Sequence, residues 1–223
     1  MRFIARRGRP HRVDDPARWH RLQRDLDRGA EGGGIDWEAL RARNPDISAW
    51  VNVEGTPIDY PVVSPREGDP QGFYLNHDFD RNWSFAGCPY LDPRGTADGR
   101  HALVYGHHLN FDSEMFTYLR DAWRQEKFDT LGDMYWSTPD GGTVRLHPAF
   151  SLSVDKSFAG IQRFDLSGSA ETRAWLADLS AQAGARAEGC DDLCAHATRA
   201  VTLVTCTGNF AGGRARTLTV FVG

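Results

Sequence analysis

The sequence lacks the long apolar runs that membrane-spanning helices need. No stretch reaches the roughly 18 to 20 apolar residues that cross a bilayer, and the opening MRFIARRGRPHR lacks the apolar centre of a signal peptide. Hydrophobic residues make up 40% of the 223-residue chain and charged residues 25%, as in ordinary soluble globular proteins. We therefore expect one sizeable core, and no segment of this sequence that inserts in a membrane.

Cysteine is scarce, and neither sign of charge dominates. Cys88, Cys190, Cys194 and Cys206 are too few for a disulfide scaffold, so the fold must rest on its core. The net charge of −4 gives no reason to expect nucleic acid binding. Residues 1–30 nevertheless hold nine arginines against four aspartates. Such a segment indicates an anionic partner or, more commonly, a solvated helix.

The N-terminal part of the chain has helical periodicity. Trp19, Leu22 and Leu26 recur at helical spacing in PARWHRLQRDLDR, and AEGGG then breaks the pattern. A second short helix is predicted in IDWEALRARN. We therefore predict a helical appendage over residues 1–45 and a separate domain over residues 46–223.

From Ile47 the pattern changes to short β-type runs bounded by Gly, Pro, Asp and Asn. These runs are AWVNVEG, TPIDYPVV, GFYLNHDF, CPYLDPRG, ALVYGHH, DMYWSTPDGGTVRLHPAFSLSV, VTLVTC and TLTVFV. They predict an antiparallel barrel or sandwich, with PDGG as a hairpin turn. Two helical segments interrupt them: DSEMFTYLRDAWRQ, with Asp112 or Ser113 as N-cap, and SAETRAWLADLSAQAGA at about 169–185.

Cys206 ends the strand-like run TLVTC just before a glycine-rich turn. A cysteine there is a packing residue, half of a disulfide, a metal ligand or a nucleophile. A nucleophile needs a base and a group that stabilises an oxyanion. His107 ends the run ALVYGH, and Arg214 and Arg216 open the strand-like run after Cys206. Side chains at such strand ends can converge on one rim of a barrel.

Four segments resemble the sortases, bacterial cysteine transpeptidases that join surface proteins to cell-wall peptide or to pilins. TLVTC matches their TLxTC signature, and the arginine opening the next strand completes their Cys-to-Arg spacing. VYGHHLNFDSEMF resembles the YGH…MF block of class B sortases. NPDISAWVNVEGTPIDYPVV and FYLNHDFDRNWSFAGCPYLD resemble blocks that open the class B catalytic domain. The resemblance covers roughly residues 30–222 and is closer to class B than to the other classes.

The resemblance implies a mainly β fold: a sortase-type antiparallel barrel of about eight strands, with two N-terminal helices and inserted helices. It implies that Cys206 attacks the carbonyl after a threonine, that His107 transfers the proton, and that Arg216 binds the oxyanion or the substrate backbone. Thiolate, imidazole and guanidinium suit these roles. The resemblance further suggests three substrate-binding positions, namely Leu75, Val204 and Thr205.

The acid/base histidine and the oxyanion-binding arginine each have two candidates. His108 adjoins His107, but successive strand side chains point to opposite faces, and the YGH pattern selects His107. Arg214 and Arg216 share a face by the same alternation. We prefer Arg216 because it directly precedes TLTVFV.

The chain departs from the family pattern at several points. Class B sortases often carry serine where this chain has Val204, and a small residue where it has Cys88. The usual N-terminal membrane anchor is missing from this sequence, although the resemblance implies action at the extracellular face of the membrane or at the cell wall. The implied sorting motif is Asn-Pro-x-Thr rather than Leu-Pro-x-Thr-Gly.

We expect no cofactor and no metal. GCDDLCAH contains Cys190, Cys194 and His196 without an evident fourth ligand, so a local disulfide or two plain thiols is favoured. No acidic loop of the Asp-x-Asp-x-Asp kind suggests a calcium requirement. We expect His77 to be a hydrogen-bonded structural histidine.

The implied reaction cleaves a sorting motif through a thioacyl on Cys206 and passes the acyl group to an amine of a cell-wall precursor or pilin. The implied partners are therefore surface proteins or pilins that bear the motif, and the acceptor amine. Two alternatives remain open at the level of sequence: a cysteine peptidase that mainly hydrolyses, and an inactive sortase-like binding or assembly module.

Overall fold

The structure, a computed structural model, describes residues 34–109, 114–207 and 213–223. The chain divides into two compact units, Met1–Asp36 and Trp37–Gly223. The helix predicted near residues 16–28 lies outside the described residues, and the predicted domain boundary at residue 45 stays a prediction. The second predicted helix is present as α1, Trp37–Arg43. Its one fully buried residue, Leu40, joins the core.

The strands of the described part form one sheet that closes into a barrel. They occur in the order β5-β1-β2-β3-β4-β8-β9-β6-β7, with a further pairing of β5 with β6. Eight strands therefore close the barrel, and the short β7 pairs with β6 outside that ring. This confirms the predicted mainly β, sortase-type barrel of about eight strands. The strand bounds are β1 Ile47–Val53, β2 Asp59–Val63, β3 Tyr90–Leu91, β4 His101–Tyr105, β5 Met134–Thr138, β6 Gly142–Asp155, β7 Ala185–Arg186, β8 Ala200–Cys206 and β9 Ala215–Val222.

Most neighbouring strands are antiparallel, as expected, but two pairs are parallel. The β5–β6 hairpin turns at the predicted PDGG, with Thr138 paired to Gly142. The parallel pairs are β2 with β3 and β4 with β8. Parallel neighbours need a long crossover connection, which residues 106–199 provide between β4 and β8.

The helix predicted around 169–185 is present as α3, Ser169–Ser180, and it is followed by α4, Cys190–His196, which was not predicted. Trp175, Leu176 and Leu179 are buried at the spacing of one helix face. They pack in a core cluster with residues of α4, β6, β8 and β9. Burying a large apolar side chain stabilises a fold by about 1.5–3 kcal/mol, so this face holds α3 against the barrel.

Two local predictions differ from the structure. DSEMFTYLRDAWRQ does not form one helix: its described part has a 3-10 helix, Thr117–Leu119, before the short α2, Gln125–Phe128. The proposed N-caps Asp112 and Ser113 lie outside the described residues. GFYLNHDF is not a strand, because Gly72 takes a left-handed conformation (φ 74°) that opens a 3-10 helix, Phe73–Leu75. Within the described ranges, no helix is long and apolar enough to cross a membrane.

Candidate active site

The parallel pair β4 and β8 brings residues 107 and 206 together at one end of the barrel. Tyr105 on β4 aligns with Val204 on β8, and the Gly106 N–H donates to the Val204 carbonyl at 3.0 Å. Continuing that register by two residues sets His107 beside Cys206. Both residues are half-buried, so the thiol and the imidazole remain within reach of a molecule that binds from solvent.

The antiparallel pair β8 and β9 places Arg216 directly opposite Cys206. Residues directly opposite in an antiparallel pair extend their side chains to the same face. Arg216 Nη1 donates to the carbonyls of Gly213 at 2.7 Å and Ala215 at 2.9 Å. Nε and Nη2 have no acceptor among residues 34–109, 114–207 and 213–223. The guanidinium is thus held by one nitrogen while the others remain able to bind a ligand.

Arg214, the other candidate arginine, is engaged elsewhere. Its Nε and Nη2 donate to the two carboxylate oxygens of Asp155, at 2.8 Å and 2.7 Å. Asp155 ends β6, which is far from β8 and β9 in sequence. Residue alternation could not separate Arg214 from Arg216, and no local sequence signal revealed the Asp155 partner.

The His107 ring is hydrogen-bonded on one side. Its Nε2 lies 2.7 Å from the Leu75 carbonyl oxygen. A carbonyl oxygen only accepts, so Nε2 carries a proton and donates it. Burial lowers the pKa of His107, and the bond to the Leu75 carbonyl opposes this shift because it favours the charged ring.

His108 also approaches Cys206, but it contacts the main chain there. Its pKa is lowered, first by burial and next by the positive charge of Arg120, while a hydrogen bond with the Cys206 backbone acts in the opposite direction. Its Nε2 lies 3.5 Å from Arg120 Nη1. The structure therefore brings both histidines near Cys206, and the extended strand register sets His107 beside it.

The predicted substrate-binding residues occupy three different environments. Val204 is 5% exposed and packs in the core cluster under α3. Thr205 is 2% exposed, and its hydroxyl has no hydrogen-bond partner in the described part of the chain. Leu75 is half-buried and presents its carbonyl to His107. Their roles in substrate binding stay predictions.

The other three cysteines are free, buried thiols. Cys190 and Cys194 belong to the core cluster beneath α3. Of the two alternatives favoured for GCDDLCAH, a local disulfide or two plain thiols, the structure has the two plain thiols. Among the described residues, no group of three or more His, Cys, Asp or Glu side chains is placed to hold a metal ion. His77 stacks on Phe73 and bonds the Phe73 carbonyl through Nδ1 at 2.8 Å, as expected of a structural histidine.

Comparison with known proteins gives local sequence similarity and a shared fold. No family model matches the chain. Sortase B of Staphylococcus aureus is 33% identical over 95 residues, which are 42% of this chain and 37% of the relative. The chain thus matches a little over a third of that relative's length.

Solved structures extend the likeness over most of the chain. A sortase B structure from Clostridium perfringens is 25% identical, has a TM-score of 0.70, and matches 83% of this chain and 97% of its own. A Staphylococcus aureus sortase B–substrate complex is 22% identical, has a TM-score of 0.75, and matches 92% and 94% of the two chains. The chain is thus similar to class B sortases in local sequence and shares their fold.

Proposed function

We propose that the chain is a class B-type transpeptidase that cleaves a sorting motif after threonine through a thioacyl on Cys206. The observation that carries the proposal is the register that sets Cys206 opposite Arg216 on β9 and beside His107 after β4. This register supports the proposal because it draws the proposed nucleophile, acid/base and cation from three neighbouring chain segments at one end of the barrel. The match to sortase B relatives supports the same reading.

In the proposed reaction, Cys206 gives its proton to His107, and its sulfur attacks the carbonyl carbon of the threonine. Arg216 binds the oxyanion, whose charge suits a guanidinium that never deprotonates. His107 protonates the leaving amine as the C–N bond breaks, which leaves a thioester. An incoming amine then gives its proton to His107 and displaces the sulfur, forming a new amide bond.

We further propose the partners of this reaction. One is a surface protein or pilin with a motif like Asn-Pro-x-Thr, and the other is an amine of a cell-wall precursor or pilin. Proline fixes φ near −65°, which lowers the entropy cost of ordering a bent peptide in a groove. The proposed site of action is the extracellular face of the membrane or the cell wall.

Alkylation of Cys206 tests the nucleophile directly. Cys88, Cys190 and Cys194 are 2–3% exposed, whereas Cys206 is half-buried. We expect iodoacetamide to label Cys206 first, an Asn-Pro-x-Thr peptide to protect it, and Cys206→Ala to remove both the label and peptide cleavage. Unchanged labelling with excess peptide, together with no cleavage, would favour the inactive binding module.

Trapping with hydroxylamine separates transfer from hydrolysis. A thioester on Cys206 partitions between water and an amine, so the proposal predicts a peptide hydroxamate that grows with hydroxylamine at the expense of the free acid. Mass spectrometry of the products measures this ratio. Free acid alone at saturating hydroxylamine would favour the hydrolytic cysteine peptidase.

A further inference from the structure

We propose that the main-chain carbonyl of Leu75 fixes the tautomer of His107, so that Nδ1 alone exchanges protons with the thiol and the substrate amine. This inference rests on the proposed function. It makes Leu75 a positioning residue that acts through its backbone, whereas the sequence predicted Leu75 only as a substrate-binding position.

The contact determines which ring nitrogen does chemistry. Nε2 donates to the Leu75 carbonyl at 2.7 Å, and a carbonyl cannot donate in return, so Nε2 keeps its proton in both the neutral and the charged ring. Nδ1 of His107 has no partner among the described residues. Nδ1 therefore accepts the Cys206 proton, delivers it to the leaving amine, and regains a proton from the incoming amine.

The carbonyl is itself held rigidly, which a positioning group requires. The Leu75 N–H donates to the Gly72 carbonyl at 2.9 Å, and the Cys88 N–H donates to the Tyr74 carbonyl at 2.9 Å. Tyr74 is fully buried, and its hydroxyl accepts from Asn44 Nδ2 at 3.0 Å. These bonds hold the peptide unit just before the Leu75 carbonyl. The unit that carries this carbonyl is held by the Asn76 N–H, which donates to the Phe73 carbonyl at 3.2 Å.

Gly87 packs against this peptide unit so closely that no side chain fits. A Cβ at Gly87 would lie 2.8 Å from the Leu75 carbonyl oxygen and 2.6 Å from that of Tyr74. Gly87 also has φ +69°, which favours glycine. Gly142, in the β5–β6 turn, has nearly the same conformation, φ +67°, but a Cβ there would meet nothing within 4 Å. The two glycines form a matched pair for a test.

Several ionisable groups lie around His107, but its main polar contact is the Leu75 carbonyl. They are His108 next in the chain, Cys206 on β8, Arg216 on β9, and Arg120 beside His108. Of the residues Phe73–Leu75, only Tyr74 has an ionisable side chain, and its hydroxyl is buried and donates to Asp46 Oδ2. Burial and the Leu75 bond are the causes that set the pKa of His107, so weakening the bond lowers this pKa further.

NMR of the ¹⁵N-labelled wild-type chain tests the tautomer directly. We expect the neutral His107 ring to show a protonated Nε2, whose proton is protected from exchange with water, and an unprotonated Nδ1. A protonated Nδ1, or a mixture of both tautomers in rapid exchange, would overturn the inference. This readout does not depend on catalysis.

The variant Gly87→Ala tests whether the contact matters for the reaction, with Gly142→Ala as its control. Displacing the carbonyl should reduce kcat by roughly tenfold to a hundredfold, leave KM nearly unchanged, and shift the acid limb of the kcat/KM profile to lower pH. Gly142→Ala should show neither kinetic change. Equal kinetics and equal ring spectra in the two variants would contradict the inference.

If Gly87→Ala does not fold, the ¹⁵N spectrum of the wild-type chain still tests whether Nε2 of His107 carries the proton. A wild-type chain that cleaves no sorting peptide would refute the proposed function, whereas the ring spectrum would still report on the carbonyl.

Discussion

Arg214 and Asp155 form a two-point ion pair at the ends of β9 and β6, with the two N–O distances at 2.8 Å and 2.7 Å. Paired bonds of this geometry fix the direction of the guanidinium. The Arg214 side chain is 64% exposed, and exposed pairs contribute little to stability. The Arg214 side chain is therefore held by Asp155, whereas Arg216 lies directly opposite Cys206.

Arg216→Lys should therefore lose activity, whereas Arg214→Ala should retain most of it. A lysine lacks the planar fork that can bind an oxyanion while Nη1 stays bound to the loop carbonyls. We expect kcat/KM for a fluorogenic Asn-Pro-x-Thr peptide to fall by about two to three orders of magnitude. A large loss in Arg214→Ala, combined with a nearly silent Arg216→Ala, would transfer the role to Arg214.

His107→Ala should lower peptide cleavage by roughly a hundredfold or more, which is the usual cost of losing an acid/base group. His108→Ala should keep most activity, because His108 contacts the Cys206 backbone and Arg120. Single-turnover cleavage by both variants measures the difference. The reverse order, with His108→Ala inactive and His107→Ala active, would assign the proton transfer to His108.

The pH profile of kcat/KM should be bell-shaped, with an acid limb below about 6.5, the ordinary pKa of histidine. Burial lowers the pKa of His107 because it disfavours the charged ring. The lower of the two apparent pKa values therefore falls below the ordinary histidine value. Measurement from pH 4 to 10, with circular dichroism at each pH to confirm folding, checks this. An acid-limb midpoint at or above about pH 6.5, the ordinary histidine value, would refute it.

The folded chain should lose stability as the pH falls from about 6.5 towards 4, because of His101. Burial lowers the His101 pKa to about 4, and both ring nitrogens are engaged, with the Arg163 carbonyl at 2.8 Å and Thr202 Oγ1 at 3.0 Å. The unfolded chain binds a proton near pH 6.5 and the folded chain only near pH 4, so acid favours unfolding between these values. The loss is about 3 kcal/mol over that window. Urea unfolding at pH 7 and pH 4.5 measures the free energy of unfolding. This free energy should change less with pH in His101→Gln than in the wild-type chain, and an equal change in both would contradict the prediction.

Paired peptides that differ only in Asn or Leu before the proline test the class B motif. We expect the Asn peptide to have the higher kcat/KM. Val204 offers no hydroxyl where class B sortases often have serine, so the preference should be relaxed by about 1 kcal/mol, the usual net worth of one hydrogen bond. A clear preference for the Leu peptide would refute the motif without affecting the roles proposed for Cys206, His107 and Arg216.

Several elements could be predicted from sequence because their signals are local. The β5–β6 hairpin follows from PDGG between two alternating runs, and α3 follows from the spacing of Trp175, Leu176 and Leu179. The pairing of Cys206 with Arg216 is nearly local as well, since β8 and β9 are consecutive antiparallel strands. These features depend on turns and periodicities that one short segment contains.

Other features depend on contacts that no local pattern contains. The Leu75 carbonyl meets His107 across 32 positions of the chain, and Arg214 meets Asp155 across 59. GFYLNHDF has strand-like composition, yet packing against the Gly87 backbone accompanies a 3-10 helix there. The short α4 carries too few residues for a clear helical period. Each of these features depends on contacts between parts of the chain that are distant in sequence.

The parallel pairing of β4 with β8 has a consequence for how the site forms during folding. The strand that leads to His107 and the strand that ends at Cys206 become neighbours only after residues 106–199 have folded into a crossover. Non-local pairings of this kind close slowly, because the entropy of a long loop is lost before the contact forms. A chain still emerging from the ribosome therefore holds its thiol and its imidazole apart until the strand that ends at Cys206 has been synthesised. We therefore expect Cys206 and His107 to come together late in folding.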